Sequence, residues 1–226
     1  MGKIARASVN KIRLTPKQQI IFNEVRLSNF LKNNFYFTGG TALSSVYLNH
    51  RISDDLDFFS QERFDIQPVV NSINEWGEKH NFKTTIEDKE VVKIFNLQFS
   101  DGEKLKVDFG YYPYKRLKKG ESIDYLEVDS LLDIAVNKLQ TIRQRSEVKD
   151  FVDLYFLLQT FTLWDLMEGT RIKFRMEIDP YLVAIDCLKV ERFENLPVML
   201  KPLSLDQIKK FYKDLAKKIS KKAVED

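Results

Sequence analysis

Two glycines ending a short β-prone run, with an acidic alternation beginning fifteen residues after the second of them, constrain this chain more than any other feature. Phe35-Tyr36-Phe37-Thr38 reads as a strand that stops at Gly39-Gly40, and a helix follows. A strand, two glycines and a helix start let backbone N–H groups approach phosphate oxygens that side chains would keep away. A double glycine alone is a weak signal, since many strand-to-helix turns carry one. The stretch Arg51-Ile52-Ser53-Asp54-Asp55-Leu56-Asp57-Phe58-Phe59 strengthens it. From Asp55 to Phe59 polar and apolar residues alternate, so Asp55 and Asp57 project together while Leu56 and Phe58 enter a core. Two carboxylates one strand period apart repel unless a cation holds them, and oxygen ligands on a rigid strand suit Mg²⁺.

A third acid follows from the same alternation. In Lys104-Leu105-Lys106-Val107-Asp108-Phe109 the apolar residues share one face and Asp108 the other, with Lys104 and Lys106. If this strand lies beside Asp55–Phe59, three carboxylates converge as two-metal phosphoryl transfer requires. Read alone, Asp108 is more readily a partner for a neighbouring lysine than a metal ligand.

The remaining pattern alternates helix and strand, then turns mainly helical. One helix is expected over 16–33, with Thr15 as cap and Pro16 at its first position, and a second over 41–48. Asp65 caps a helix over 67–80, and Phe82–Glu87, Val91–Phe99 and Glu103–Phe109 read as strands, the last two joined at Asp101-Gly102. Helices are expected over 130–145, 147–160 and 205–220. The class is therefore α+β: an α/β half over 1–125 and a helical half over 126–226, packed as one unit.

Composition excludes several alternatives. No run approaches the ~18 apolar residues of a membrane span, and MGKIARASVN lacks the apolar core of a secretory signal. A single cysteine, Cys187, leaves no internal disulfide, and two histidines, His50 and His80, argue against an imidazole zinc centre. A reducing, cytoplasmic setting is expected. Net charge is only +3, but residues 111–119 interleave lysine and arginine with Tyr111, Tyr112 and Tyr114. That segment suits either a polyanion or a solvated face; the lysines beyond residue 200 read as a solvated face.

Two further groups stand out on the C-terminal helices. Lys138 lies at the margin of a stripe formed by Leu131, Leu132, Ala135, Leu139 and Ile142, from which a long stem could carry its ammonium over apolar surface. Asp150 and Asp153 share one face of a helix crowded with Phe151, Val152, Leu154, Tyr155 and Phe156. A carboxylate there needs a partner, and Lys138, Arg143, Arg145 and Lys149 are candidates.

The series GGTAL, HRISDDLDFF, KVDF and NKLQTIRQRSEVKDFVDLYFLL, with LPVML and PLS further on, resembles the AbiEii/AbiGii toxin family of bacterial nucleotidyltransferases over nearly the whole chain. The resemblance implies a polymerase-β-type fold and a place in toxin–antitoxin and abortive-infection (phage-defence) systems. It implies Mg²⁺ on Asp55, Asp57 and Asp108, and an NTP held by Gly39, Gly40, Thr41, Arg51, Ser53 and Lys138. It also implies a functional acid at Asp153, favoured over Asp150, although an ion pair orienting Lys138 is an open alternative, as is a simple surface role for Lys138. Arg51 is read as contacting phosphate or pairing with Asp54, and Ser53 as a position where phosphorylation would set negative charge near the metal. The implied reaction moves a nucleoside monophosphate from an NTP to an acceptor hydroxyl, with a tRNA 3′ end preferred and a cognate antitoxin as partner. A small-molecule or protein hydroxyl is the alternative acceptor, and a non-catalytic NTP-binding module the alternative class.

Overall fold

The computed structural model describes residues 12–225, so the MGKIARASVN stretch read for a targeting signal lies outside the described residues. Two compact units are formed. The first runs to Tyr47 and includes Ser53–Lys115 and Lys119–Ser130; the second contains Leu48–Ile52, Arg116–Lys118 and the chain from Leu131 onward.

In the first unit, α1 (Pro16–Leu27) opens with a capping box: the Thr15 hydroxyl accepts from the Gln18 amide and the Gln18 side chain accepts from the Thr15 amide. The single helix expected over 16–33 breaks at Ser28. That residue ends α1, and its hydroxyl caps α2 (Asn29–Asn34) by accepting from Leu31. Strand β1 (Tyr36–Thr38) leads into α3 (Gly39–Ala42), which widens into a π turn over Leu43–Leu48, so the second helix starts two residues before the expected 41. Strand β2 is Leu56–Ser60 and α4 is Gln67–His80, with the Asp65 carboxylate accepting from the Gln67 amide and Asn81 left-handed at its end. Strands β3 (Phe82–Asp88), β4 (Val92–Phe99) and β5 (Lys104–Tyr111) follow, and Gly102 takes φ +91° in the turn between the last two. Short strands β6 (Ser122–Ile123) and β7 (Leu126–Val128) complete a seven-stranded mixed sheet of order β3-β4-β5-β2-β1-β7-β6.

The order places β2 between β1, which is antiparallel to it, and β5, which is parallel. One face of these strands carries aromatic residues. Phe37 packs on Phe58, Phe58 stacks on Phe109 with centroids 5.3 Å apart, and Phe95 meets Phe109 edge-on. All four rings are fully buried, which fixes register, because a one-residue slip would turn every one of them to the other face.

The second unit is helical: α5 (Leu131–Gln144), α6 (Val148–Leu157), α7 (Leu163–Phe174), α8 (Pro180–Cys187) and α9 (Leu205–Glu225). Segment 48–52 joins it by an antiparallel bridge between Arg51 and Met199, flanked by Ile52 N–H to Val198 and Leu200 N–H to His50. The Asp133 carboxylate accepts from Lys173 and from the Leu117 and Lys118 amides, which ties 116–118 to α5. Tyr212 is buried on α9 and donates to the Phe151 carbonyl on α6. Burial pushes the Cys187 thiol up to about 12, so it is not a reactive thiolate. No helix among the described residues is long and apolar enough to cross a membrane.

Candidate active site

The glycine turn and the acids meet in the first unit. Asp57 is registered with Thr38 on one side and Asp108 on the other, so its neighbours are the strand end that leads into Gly39 and the third acid. Gly39 has φ +74°, and a methyl built on it would come to 2.0 Å from an Asp57 carboxylate oxygen. Both facts demand glycine: the backbone is left-handed, and it is pressed against a carboxylate. The Thr38 hydroxyl donates to buried Asp129, whose amide in turn donates to Phe37, which holds the end of β1 in place.

The loop before β2 is pinned from two sides. Thr41 is buried and its hydroxyl donates to the Asp55 carbonyl. The Gln18 amide donates to the carbonyls of Ser53 and Asp54 at 2.7 and 3.0 Å. Ser53, whose role was read from the sequence alone, is half-buried on this pinned loop. Gln18 was missed by the sequence reading; its capping-box position was legible, but its second bond 35 residues away was not.

Lys106 completes the cluster. Its ammonium lies 2.8 Å from Asp108 and 3.6 Å from Asp55, which realises the lysine partner considered for Asp108. Burial opposes the Lys106 charge, yet Asp108, Asp55 and Asp57 together raise its pKa. Burial also pushes the Asp108 carboxyl above its usual range, with Lys106 pulling the other way. The second Asp108 oxygen is buried with no hydrogen-bond partner. As the side chains stand, no three acidic, histidine or cysteine groups among the described residues are placed to hold one ion, and the Lys106 ammonium lies between the Asp55 and Asp108 carboxylates. The donor set nevertheless fits a hard divalent cation. It is all oxygen, it sits on paired strands, and it includes one buried oxygen left over.

The second unit gathers another charged group. Asp153 is fully buried and accepts from Arg51 at 2.6 and 2.9 Å, from His50 at 2.7 Å, and from Lys138 at 2.6 Å. Lys138 also reaches Asp150 at 2.8 Å, and Arg145 closes on Asp150 from the other side. The Arg51 guanidinium thus forks onto Asp153 and gives its remaining nitrogen to the Ile52 carbonyl. Of the other partners considered, Arg143 approaches Asp186 and Lys149 approaches Glu147. Burial opposes the Asp153 charge, but Lys138, Arg51 and His50 hold its carboxyl far below the usual range. His50 received no role from the sequence, because nothing in residue spacing connects it to a partner 103 positions away.

Burial lowers the pKa of His50, with Arg51 and Lys138 acting in the same direction and Asp153 against. The neutral ring donates from Nε2 to Asp153, and Nδ1 is buried without a partner. The unfolded chain takes up this proton near pH ~6.5 and the folded chain resists it. Stability from this residue is therefore full above that pH and declines below it, by up to about 1.4 kcal/mol per pH unit. His50→Gln is expected to lose less stability than the parent protein between pH 7.5 and 5.5, measured by urea unfolding at each pH.

The tyrosines of 111–119 are largely engaged within the protein. Tyr112 packs on Phe59 and on Tyr114, and the Arg63 guanidinium lies 5.0 Å over Tyr111.

The chain is 35% identical over 161 residues to an uncharacterised protein of Aquifex aeolicus, covering 70% of this chain and 73% of that one. Two Helicobacter pylori structures share the fold: one assigned as a nucleotidyltransferase (TM-score 0.58, 18% identity, 94% of this chain and 98% of that one). The other is JHP933 (TM-score 0.57, 19% identity, 94% and 96%). The model of the nucleotidyl transferase AbiEii toxins of type IV toxin–antitoxin systems matches residues 25–225, and the chain belongs to that family of nucleotidyltransferase enzymes.

Proposed function

We propose that the protein transfers a nucleoside monophosphate from an NTP to an acceptor hydroxyl in a Mg²⁺-dependent reaction, and that the acceptor is an RNA 3′ end, tRNA in particular. The observation that carries this reading is the register of Asp57 against Asp108 with Gly39 packed directly on the Asp57 carboxylate. Asp55, Asp57 and Asp108 would hold the metal, which supplies charge neutralisation of the triphosphate and a lowered pKa for the attacking hydroxyl. Gly39 and Gly40 let the backbone come close to phosphate oxygens, and Thr41 fixes Asp55 from behind through its carbonyl. Asp108, raised in pKa and carrying an unpartnered oxygen, is suited to accept a hydrogen bond from the acceptor hydroxyl. The roles implied for Arg51, Ser53, Lys138 and Asp153 enter the proposal through the family resemblance. Lys138 is positioned by Asp150 and Asp153, so orientation and function are compatible for it. The toxin's antitoxin partner follows from the family; a phage-defence setting is part of the proposal.

The test is incubation of the purified protein with each α-labelled NTP and total RNA, with Mg²⁺ or with EDTA. The proposal expects labelled RNA in the Mg²⁺ arm alone and none with Asp57→Ala. Label on protein or on a small molecule would transfer the acceptor assignment elsewhere, and NTP binding with no labelled product would leave a binding module.

Lys106 supplies a separate prediction. Its ammonium neutralises Asp55 and Asp108 when no other cation does so, in a pair worth at most about 1 kcal/mol given its exposure. Lys106→Met is expected to tighten Mg²⁺ binding about fivefold in calorimetric titration, since the ion no longer displaces an ammonium. Unchanged or weakened binding would show that Lys106 does not compete for these carboxylates.

A further inference from the structure

Strands β3, β4 and β5 present one face to the aromatic core, and on the other face Lys83, Thr85, Glu87, Gln98 and Lys104 are exposed, while the row at Asp108 is buried at its β5 end. Their register sorts that open face into rows. Lys83 is paired with Gln98 and Gln98 with Lys104; Thr85 with Asn96 and Asn96 with Lys106; Glu87 with Ile94 and Ile94 with Asp108. Paired residues project on the same side, so each row is a line of neighbouring side chains. A groove of ≈ 530 Å³ runs over this face and includes Asp54 and Asp55 in its wall.

The groove is polarised along its length. One end holds Asp55 and Glu87, next to the row that ends in Asp108; the other holds Lys83 and Lys104. Both of these lysines are exposed, and neither makes an ion pair among the described residues. Lys17, Lys79 and Lys93 of the same unit all close on carboxylates. Between the two ends lie Thr85 and Asn96, which can donate to phosphate or ribose oxygens. Two steps of two residues along a strand put the lysine row about 13 Å from the Asp108 row. That is longer than the triphosphate of one nucleotide. Among the described residues no aromatic ring lines the groove, so none of them offers a platform for stacking on bases.

We propose that the open face of β3–β4–β5 is the acceptor track, binding the sugar–phosphate backbone of a single-stranded polynucleotide end so that its terminal hydroxyl arrives at Asp55 and Asp108. The inference rests on the nucleotidyl-transfer reading of those acids and adds which face of the sheet holds the acceptor strand and how it is held. An acidic protein segment would also meet two lysines, but it would not use a track of hydroxyl and amide groups leading to a phosphoryl-transfer centre. Recognition here is by backbone charge and is indifferent to sequence.

The test compares the parent protein with Lys83→Gln/Lys104→Gln. Fluorescence anisotropy with a labelled single-stranded RNA 12-mer is run over a range of salt concentrations. Each lost phosphate contact removes about 0.7 from the slope of log K against log salt, so the double variant is expected to bind with a slope shallower by about 1.4, and roughly 25-fold more weakly near 0.1 M salt. NTP binding and thermal unfolding are expected to stay at the parent values. Equal RNA affinity and slope in both proteins would overturn the track, as would loss of binding to an acidic peptide alone. Label transferred to RNA by the double variant with unchanged KM would also overturn it while leaving the transfer reading intact. Absence of any NMP transfer by the parent protein would instead remove the reading beneath it.

Discussion

Asp153→Ala is expected to lower the free energy of unfolding by about 3–5 kcal/mol, the range for breaking a buried ion pair and leaving its partners uncompensated. The Asp153 carboxylate has 0% exposure and Arg51 only 3%. Removing the carboxylate takes two hydrogen bonds from the Arg51 fork, takes the acceptor from the His50 Nε2–H, and leaves Lys138 with Asp150. Asp153→Asn keeps the shape and loses the charge, so it separates packing from electrostatics; a loss nearly as large is expected, because the cations are still uncompensated. Urea unfolding at neutral pH measures both. The acid limb gives a second reading. The Asp153 carboxyl titrates below its unfolded value of ~3.9 when folded, so its contribution is present above that pH and is lost only as pH falls further, through the folded value. The parent protein should therefore lose stability more steeply below pH ~4 than either variant.

Asp57→Ala is expected to lower NMP transfer by about a thousandfold, since charge stabilisation by a held cation is worth several kcal/mol and each 1.36 kcal/mol is a factor of ten. Gly39→Ala is expected to lower it at least about a hundredfold by a different route. Its methyl would sit 2.0 Å from the Asp57 carboxylate oxygen on a backbone at φ +74°, so either the turn or the carboxylate must move, and a displacement of ~1 Å is enough for such a loss. The two variants differ in stability. Asp57→Ala removes one member of a cluster of like charges and should unfold close to the parent midpoint, whereas Gly39→Ala strains the turn and should unfold earlier. Steady-state transfer with a saturating NTP, alongside thermal melts, distinguishes them.

The acidic strand was legible because alternation is a local property. Leu56 and Phe58 had to be inside, so Asp55 and Asp57 had to share the other face, and Asp108 followed from Leu105, Val107 and Phe109 in the same way. Pairing β5 beside β2 was conditional in the sequence and is present in the fold. The glycine turn was legible for a similar reason, although the packing of Gly39 on Asp57 was not, since Gly39 opens α3 and Asp57 lies on β2, 18 residues further along the chain. What periodicity could not supply were partners distant in sequence. Arg51 and His50 meet Asp153 across more than a hundred residues, and Gln18 meets the loop before β2. Local chemistry also misled where two motifs overlapped. The run 16–33 has continuous helical periodicity, but Ser28 serves as both the end of one helix and the cap of the next. Lys106 was placed on the face of Asp108 correctly; that it would bridge to Asp55 depended on the β2–β5 register and on the loop held by Thr41.

The decisive measurement is anomalous diffraction from crystals grown with Mn²⁺ and a non-hydrolysable NTP analogue. A peak bridging the Asp57 and Asp108 carboxylates, with phosphate density over Gly39-Gly40 and the Lys106 ammonium withdrawn, is the expected result. Metal and nucleotide bound away from both carboxylates, with Lys106 still closed on Asp108, would contradict it.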